Sequence, residues 1–458
     1  MPIRYISRPS RPALFLAACL LCFAGVEGSA TDTPEPIKYI GLGSCAATSC
    51  HGSVKPVPGS RILQDEYSTW ILQDKHSRAY QALTDDVGER MARILKLNAK
   101  AEESPKCLAC HALYSTPDQR GRSFEISDGV SCEVCHGPAS AWLGPHTTRE
   151  WPHEKSVALG MVDTRNLIRR TEKCLQCHLG TKGKFVDHEM IAAGHPDLYF
   201  ELDSFSAVMP RHWKVPRESL PGKPVEDPAW SGVREWSTGQ AVQLSASMDR
   251  LVWRARGERA DRQNPWPEYA ELSCFSCHHS LGSANESWRQ EHGYEGRRPG
   301  DPPWNASRYA VFRLFAKQID SVSAQELDRQ LLTVSTEMGK LNPDRAVVAN
   351  AASAASPLAM HIAERLAAMQ YDQAITLRML QRISDDAENV SLADERAAEQ
   401  ATMALDSLYI AFSKDTKPSD AAEVRAAING LFLQLQNPSA YNADQFASAL
   451  RRIRPLLH

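Results

Sequence analysis

Residues 128–138 read DGVSCEVCHGP and contain two cysteines two residues apart, with a histidine directly after the second one. The same Cys-x-x-Cys-His arrangement occurs three more times in the 458-residue chain, and a fifth pair differs only in having four residues between its cysteines. Ten of the twelve cysteines belong to these motifs, which are Cys45/Cys50/His51, Cys107/Cys110/His111, Cys132/Cys135/His136, Cys174/Cys177/His178 and Cys274/Cys277/His278. One chemistry must explain both the pairing and the recurring histidine.

Cys-x-x-Cys-His is the attachment signature of a c-type haem. Two thiols form thioethers with the haem vinyl groups, and the next residue supplies the proximal imidazole of the iron. A disulfide framework gives no reason for a histidine after every pair in a chain with only 15 histidines. Structural zinc sites combine two half-sites and require no histidine at that position. The spacing therefore predicts covalent haem at the four short motifs.

The remaining motif, SCAATSCH at residues 44–51, keeps the junction between Cys50 and His51 intact. Only the segment between the two thiols is longer, and it can bulge away from the porphyrin while both sulfurs reach their vinyl carbons. We predict a fifth haem c here, with a disulfide between Cys45 and Cys50 as the alternative.

Three features resemble the cytochrome c554 family over roughly residues 40–180. They are the box at 128–138, the Trp70…His76-Ser-Arg-Ala-Tyr element and a histidine, His146, shortly after the box; the order of the first four motifs also agrees. That family has four haems and a short first motif, so the stretched first motif and the fifth site are departures. Residues 186–196 also resemble a segment of larger multihaem cytochromes distantly related to hydroxylamine oxidoreductase, which include both carriers and enzymes.

The sixth ligand of each iron separates a closed electron carrier from an open, substrate-binding haem. Enough histidines lie outside the motifs to close all five irons, and the distal candidates are His76, His146, His188, His195 and His212. The first two rest on the family resemblance, with His153 as the rival of His146. His279 and His292 are expected to point elsewhere.

Two local helices are predicted around these candidates. The pattern from 66 to 83 is typical of an amphipathic helix carrying His76. A helix through His188 and His195 would put both on one face and end before Pro196, so that the two histidines serve separate haems.

The sixth ligands of the irons decide which function is expected. We expect a carrier of single electrons between redox partner proteins through mostly bis-histidine haems. The alternative is an oxidoreductase with one open haem that acts on a small nitrogen or sulfur compound. No Cys-x-x-Cys-Lys motif occurs, which excludes the pentahaem nitrite reductase type. A third, non-redox class would treat the pairs as disulfides of a scaffold protein.

The first 30 residues are typical of a signal peptide cleaved after Ala30, which predicts a periplasmic protein. Lipoprotein anchoring through Cys19 is the alternative. No later segment is expected to cross a membrane, and a formal net charge of −3 indicates no nucleic-acid footprint.

The overall prediction is a mainly α protein of two parts. Short helices and loops should wrap stacked haems over 31–304, and an α-helical bundle should follow over 305–458, where cysteine and tryptophan are absent. Helical stripes at 327–338 and 424–435 predict core faces, and Pro357 predicts a break or kink. Dimerisation through a C-terminal helix, as in the pentahaem nitrite reductases, is left open.

Overall fold

The structure is a computed structural model, and it describes residues 37–214, 229–257, 265–279 and 302–458. The predicted mainly α fold is confirmed. The β-bridges within these ranges are three isolated ones, Tyr39–Arg120, Thr181–Lys184 and Leu272–Trp304. The signal peptide and His292 lie outside the described residues.

Nine short helices, α1 to α9, make up the part of the chain that carries the first four motifs. They are Glu66–Gln73, Asp86–Ile94, Pro105–His111, Cys132–His136, Leu143–His146, His153–Ala158, Leu167–Leu175, His188–Ala192 and Leu202–Val208. Ten further helices, α10 to α19, follow in the described residues: Ser231–Ala255, Ser307–Ala310, Arg313–Ile319, Ser321–Met338, Arg345–Ala368, Gln373–Asp385, Ala387–Ala393, Glu395–Thr416, Ala421–Gln434 and Ala443–Ile453.

The short helices end where the sequence supplies caps and special backbone. The carboxylate of Asp85 accepts hydrogen bonds from the first turn of α2, and Pro105 occupies the first turn of α3. Helix α4, which carries the third motif, stops at Gly137 with φ of 82°. A Cβ there would lie 2.7 Å from the carbonyl oxygen of Gly160, so the close approach of the two chains also requires glycine.

Helix α10 is the centre of the described core. It is buried along most of its length, as expected of a helix with apolar contacts all round. It packs against α14, and both belong to one hydrophobic cluster that also includes Leu175 and Leu179 beside the fourth motif. Residues 38–458 form one compact unit. The division at residue 304 stays a prediction from composition.

The predicted stripes of the C-terminal helices do form core faces. Leu327, Leu331, Val334 and Met338 are fully buried, and so are Val424, Ile428 and Leu431. Helix α14 continues through Pro357, so the chain does not break there.

The expectation that no later segment is long and apolar enough to cross a membrane was wrong for α14. This helix meets that criterion by length and composition, with a mean hydropathy of 1.3. Half of that window is buried within the protein, and its alanines pack in the cluster around α10. A core helix has the same properties.

Candidate haem-binding sites

We number the five motifs in chain order as site 1 (Cys45, Cys50, His51), site 2 (Cys107, Cys110, His111), site 3 (Cys132, Cys135, His136), site 4 (Cys174, Cys177, His178) and site 5 (Cys274, Cys277, His278). None of the ten motif cysteines forms a disulfide. The pair at site 1, for which a disulfide was the alternative, is therefore unbridged in the structure.

Four of the five motif histidines lie opposite one predicted distal histidine. The distances between ring centres are 6.3 Å for His51–His146, 6.4 Å for His111–His195, 6.2 Å for His76–His178 and 6.2 Å for His188–His278. The ring planes are parallel to within 5° in the first pair, 33° apart in the pair of site 5, and almost perpendicular (84° and 88°) at sites 2 and 4.

This common separation has a simple geometric meaning. An imidazole nitrogen lies about 2 Å from a metal that it ligates, so two imidazoles on opposite sides of one iron have centres roughly 6 Å apart. The four pairs therefore have the spacing that an iron between them requires.

Hydrogen bonds orient five of these eight imidazoles through their Nδ1 atoms. The acceptors are Glu66 Oε2 for His51 (3.0 Å), Asp74 Oδ1 for His76 (2.9 Å), and the carbonyl oxygens of Ala79 for His111 (2.8 Å), Pro196 for His195 (2.7 Å) and Leu143 for His146. With Nδ1 bonded in this way, Nε2 is left for a metal, and such outer partners fix both tautomer and ring orientation. Hydrogen bonds from Glu66 and Asp74 also raise the pKa of His51 and of His76.

His153, the rival of His146, uses its ring differently. Its Nε2 lies 3.1 Å from a carboxylate oxygen of Asp163, so the atom that would ligate iron is occupied. His279 packs its ring against Phe275, at 5.8 Å between centres.

The predicted helix over 66–83 was wrong in its extent. Helix α1 ends at Gln73, because Asp74 takes an extended backbone and its side chain accepts hydrogen bonds from the backbone N–H and Nδ1 of His76. The break turns His76 toward site 4. Asx side chains compete with helices in this way.

The helix through His188 and His195 was also shorter than predicted. Helix α8 ends at Ala192, and Gly194 then adopts φ of 113°, which only glycine accepts readily. The two histidines face different motifs, His278 and His111 respectively.

Site 3 differs from the others. The ring of His136 has no imidazole partner at the 6.2–6.4 Å separation seen in the described pairs. Burial lowers the pKa of His136 to about 4, and the nearby charge of His212 adds to that effect. His212 donates from Nδ1 to the carbonyl oxygen of Pro210 at 3.1 Å, if that nitrogen carries the proton, and its Nε2 is then left for a metal.

Contacts between motifs give the order in which the sites neighbour one another. The side chains of Cys45 and Cys132 lie close enough to shift each other's pKa, which makes sites 1 and 3 neighbours, and the same proximity of Cys110 and Cys177 makes sites 2 and 4 neighbours. Cys135 lies close enough to Cys174 for their charges to interact, which joins sites 3 and 4. Helix α8 and the loop after it connect sites 5 and 2. The resulting order is 1–3–4–2–5.

Glu133, within the third motif, explains part of the box at 128–138. Its buried carboxylate accepts from the backbone N–H groups of Ile40 (3.0 Å), Gly41 (2.8 Å) and Ala139 (2.8 Å). Charge-assisted bonds of this kind are strong. The bonds to Ile40 and Gly41 hold this segment, which leads into site 1, against site 3.

A buried charge network, which sequence reasoning missed, positions sites 4 and 5. Glu271 lies three residues before Cys274 and pairs with Arg250 (2.8 Å) and Arg254 (2.6 Å) of α10. The same arginines donate to the carbonyl oxygens of Leu179 and Val186, both at 3.0 Å. Burial alone would raise the pKa of Glu271, but the two guanidinium charges lower it to about 2.

Residues 44–137, which contain the first three motifs, match the family described as cytochrome c554 and c-prime. Cytochrome c-554 of Nitrosomonas europaea is 24% identical over 180 residues, which cover 37% of this chain and 67% of that protein. These findings support the predicted resemblance to the cytochrome c554 family.

This resemblance indicates a c-type cytochrome with covalently bound haem c that serves electron transfer. The matched residues begin just before the stretched first motif and end just after the third. No solved structure matches this chain.

Proposed function

We propose that this chain is a periplasmic pentahaem cytochrome that moves single electrons between redox partner proteins. The observation that supports it best is the set of four histidine pairs, each of which joins one motif histidine to one distal candidate at 6.2–6.4 Å. An iron closed by two imidazoles has no position for substrate, and this favours a carrier.

The side chains of the chain do three things in this proposal. Each cysteine pair anchors a haem through thioethers, the paired imidazoles bind from both faces, and the Nδ1 acceptors hold those imidazoles in orientation. Haem supplies the one-electron iron couple when it is bound. The order 1–3–4–2–5 sets which sites are neighbours, so sites 1 and 5 are the ends at which partners would dock.

At site 3 we propose that His212 is the sixth ligand, as the sequence predicts. Its charge influences His136, and its Nδ1 bond to Pro210 leaves Nε2 available. The competing function is an oxidoreductase in which site 3 stays open to a small nitrogen or sulfur compound. It is favoured by the single observation that, among the residues the structure describes, His136 has no imidazole partner at the separation of the other pairs.

Replacing His212 tests the two functions. In the haem-loaded protein, His212→Ala should convert one of five haems from low spin to high spin, measured by low-temperature EPR against total haem. His153→Ala is the matched control, since its Nε2 already bonds Asp163. If the unchanged protein shows one high-spin haem and His212→Ala alters nothing, site 3 is open and the oxidoreductase is the better proposal.

Localisation and partners complete the proposal. Export would follow from the signal peptide over residues 1–30, with Cys19 lipidation as the alternative. The propionates of five haems would add negative charge to the formal −3, so partners with basic surfaces are favoured. N-terminal sequencing of the mature protein distinguishes cleavage after Ala30 from lipidation.

A C-terminal helix as a dimer contact stays a prediction, for which the test is the oligomeric state in solution.

A further inference from the structure

Site 5 is the site whose motif histidine is most open to solvent. His278 is exposed, whereas the other four motif histidines are partly buried. Tyr269, which packs edge-on against the ring of His188 at 5.7 Å between ring centres, is itself 62% exposed. Site 5 is also an end of the order in which the sites neighbour one another. A small molecule in water can therefore approach this pair of imidazoles directly.

The imidazoles of site 5 also differ from the others in their outer hydrogen bonds. In four of the five distal candidates Nδ1 is hydrogen-bonded to an oxygen of the protein: His76, His146, His195 and His212. Among the residues that the structure describes, neither His188 nor His278 has such an acceptor, so site 5 alone lacks this bond on both rings. An outer acceptor makes an imidazole a stronger ligand, and its loss typically weakens metal binding about 10–100-fold. We therefore expect His188 to be the weakest of the sixth ligands.

The backbone at His188, in contrast to its ring, is held firmly. Its N–H donates to Oε1 of Glu268 at 3.0 Å. The buried carboxylate of Asp187 caps α8 by accepting from the N–H of Met190 at 2.9 Å, and it lies 3.5 Å from Nζ of Lys106. Rotation of the side chain of His188 would therefore free the iron while α8 stays folded. Such an opening is a minor state that a competing ligand can select.

We propose that the haem of site 5, once reduced, binds a neutral diatomic gas in place of His188. The bond from iron to Nε2 of His188 breaks and a bond from iron to the gas forms, with no transfer of an electron or a proton. A ligand of this class binds through the iron itself, so access to the iron decides whether it binds. Tyr269 is a positioning residue, because its ring covers one side of His188. The inference rests on the proposed function in one respect, the ligation of this haem by His188 and His278.

The test is binding of carbon monoxide to the reduced, haem-loaded protein, measured by the change in the Soret band against total haem. The unchanged protein should bind one equivalent, at a rate that levels off at high carbon monoxide because departure of His188 limits it. His188→Ala should also bind one equivalent, at least about tenfold faster and in proportion to carbon monoxide. Tyr269→Ala should raise the limiting rate, since it removes the ring that packs on His188.

Two results would overturn the proposal. One is an unchanged protein that binds no carbon monoxide. The other is a His188→Ala variant that binds two equivalents where the unchanged protein binds one, since the gas would then occupy site 3. Tyr269→Ala keeps both imidazoles and so tests the proposal even if His188→Ala loses its haem; an unchanged limiting rate would show that His188 is not the group that leaves.

A matched control and a separate count complete the experiment. Tyr114→Ala, at another exposed tyrosine (44%), should leave the limiting rate as it is. Counting haem by the pyridine haemochrome method, together with EPR of the oxidised protein, tests the proposed function separately. Five low-spin haems in a protein that binds no carbon monoxide would overturn this inference and leave the proposed function intact.

Discussion

The two parts of this cytochrome obtain their interiors in different ways. The helices from α10 to α19 bury large sets of leucine, isoleucine, phenylalanine and alanine in two clusters. The region of sites 1 to 3 has only a small cluster of its own, formed by Leu83, Ala92, Ala101, Leu108 and Ala112. A chain segment with so few apolar contacts cannot offset its conformational entropy. We therefore expect the region of sites 1 to 3 to gain most of its stability from bound haem.

Removing haem should have the largest effect, and it should destabilise one region much more than the other. In protein made without the haem-attachment machinery, we expect the backbone amides of residues 38–136, the region of sites 1 to 3, to lose almost all protection from hydrogen exchange. The helices over 321–458 should keep protection, because their core consists of side chains. Equal protection of both regions would show that the first region folds on its own contacts.

Breaking the buried network should affect both regions. Glu271→Gln leaves Arg250 and Arg254 without their shared counter-charge, which typically costs about 3–5 kcal/mol at neutral pH. The pKa of Glu271 is lowered to about 2, so the stabilisation is present above the unfolded pKa of about 4.3 and is lost as the pH falls toward 2. Denaturant unfolding should show that Glu271→Gln lowers the free energy of unfolding by less at pH 2.5 than at pH 7.

The control for that network is Glu326→Gln, at an exposed carboxylate paired with Arg329. It should change the free energy of unfolding by less than about 1 kcal/mol. A pH-independent loss in Glu271→Gln would instead indicate a packing defect.

A core substitution should affect the second region alone. Leu405 of α17 is fully buried, and Leu405→Ala should lower the free energy of unfolding by about 2–5 kcal/mol. Leu433→Ala, at a side chain that is 65% exposed, is the matched control and should change it by no more than about 0.5 kcal/mol. The Soret spectrum should be the same in both variants. A changed spectrum would mean that the two regions are coupled through more than the Glu271 network.

The smallest effect concerns a single imidazole. Asp74→Asn replaces the anionic acceptor of His76 Nδ1 by a neutral one, which makes the imidazole a weaker donor to iron. The midpoint potential of one haem should rise while the fold is kept, as measured by spectroelectrochemistry. A potential that stays the same would mean that Asp74 serves only the helix break.

The sequence predicted those parts of the sites whose chemistry is local. Each cysteine pair and its histidine are consecutive, so their role could be inferred without a fold. The distal candidates His76, His146, His188 and His195 were named but could not be assigned to motifs, because that pairing depends on the break at Asp74 and the turn at Gly194. The network of Glu271 was missed because an arginine in a long helix gives no local signal of a carboxylate that lies 21 residues away for Arg250 and 17 for Arg254.

The central claim is that paired histidines close the irons, and low-temperature EPR of the oxidised, haem-loaded protein tests it most directly. We predict low-spin signals only. The parallel rings of site 1 should give a rhombic signal, and the perpendicular rings of sites 2 and 4 should give the highly anisotropic type. A high-spin signal approaching one equivalent per protein would contradict full closure and point to site 3. High-spin signals from two or more haems would contradict the pairing itself.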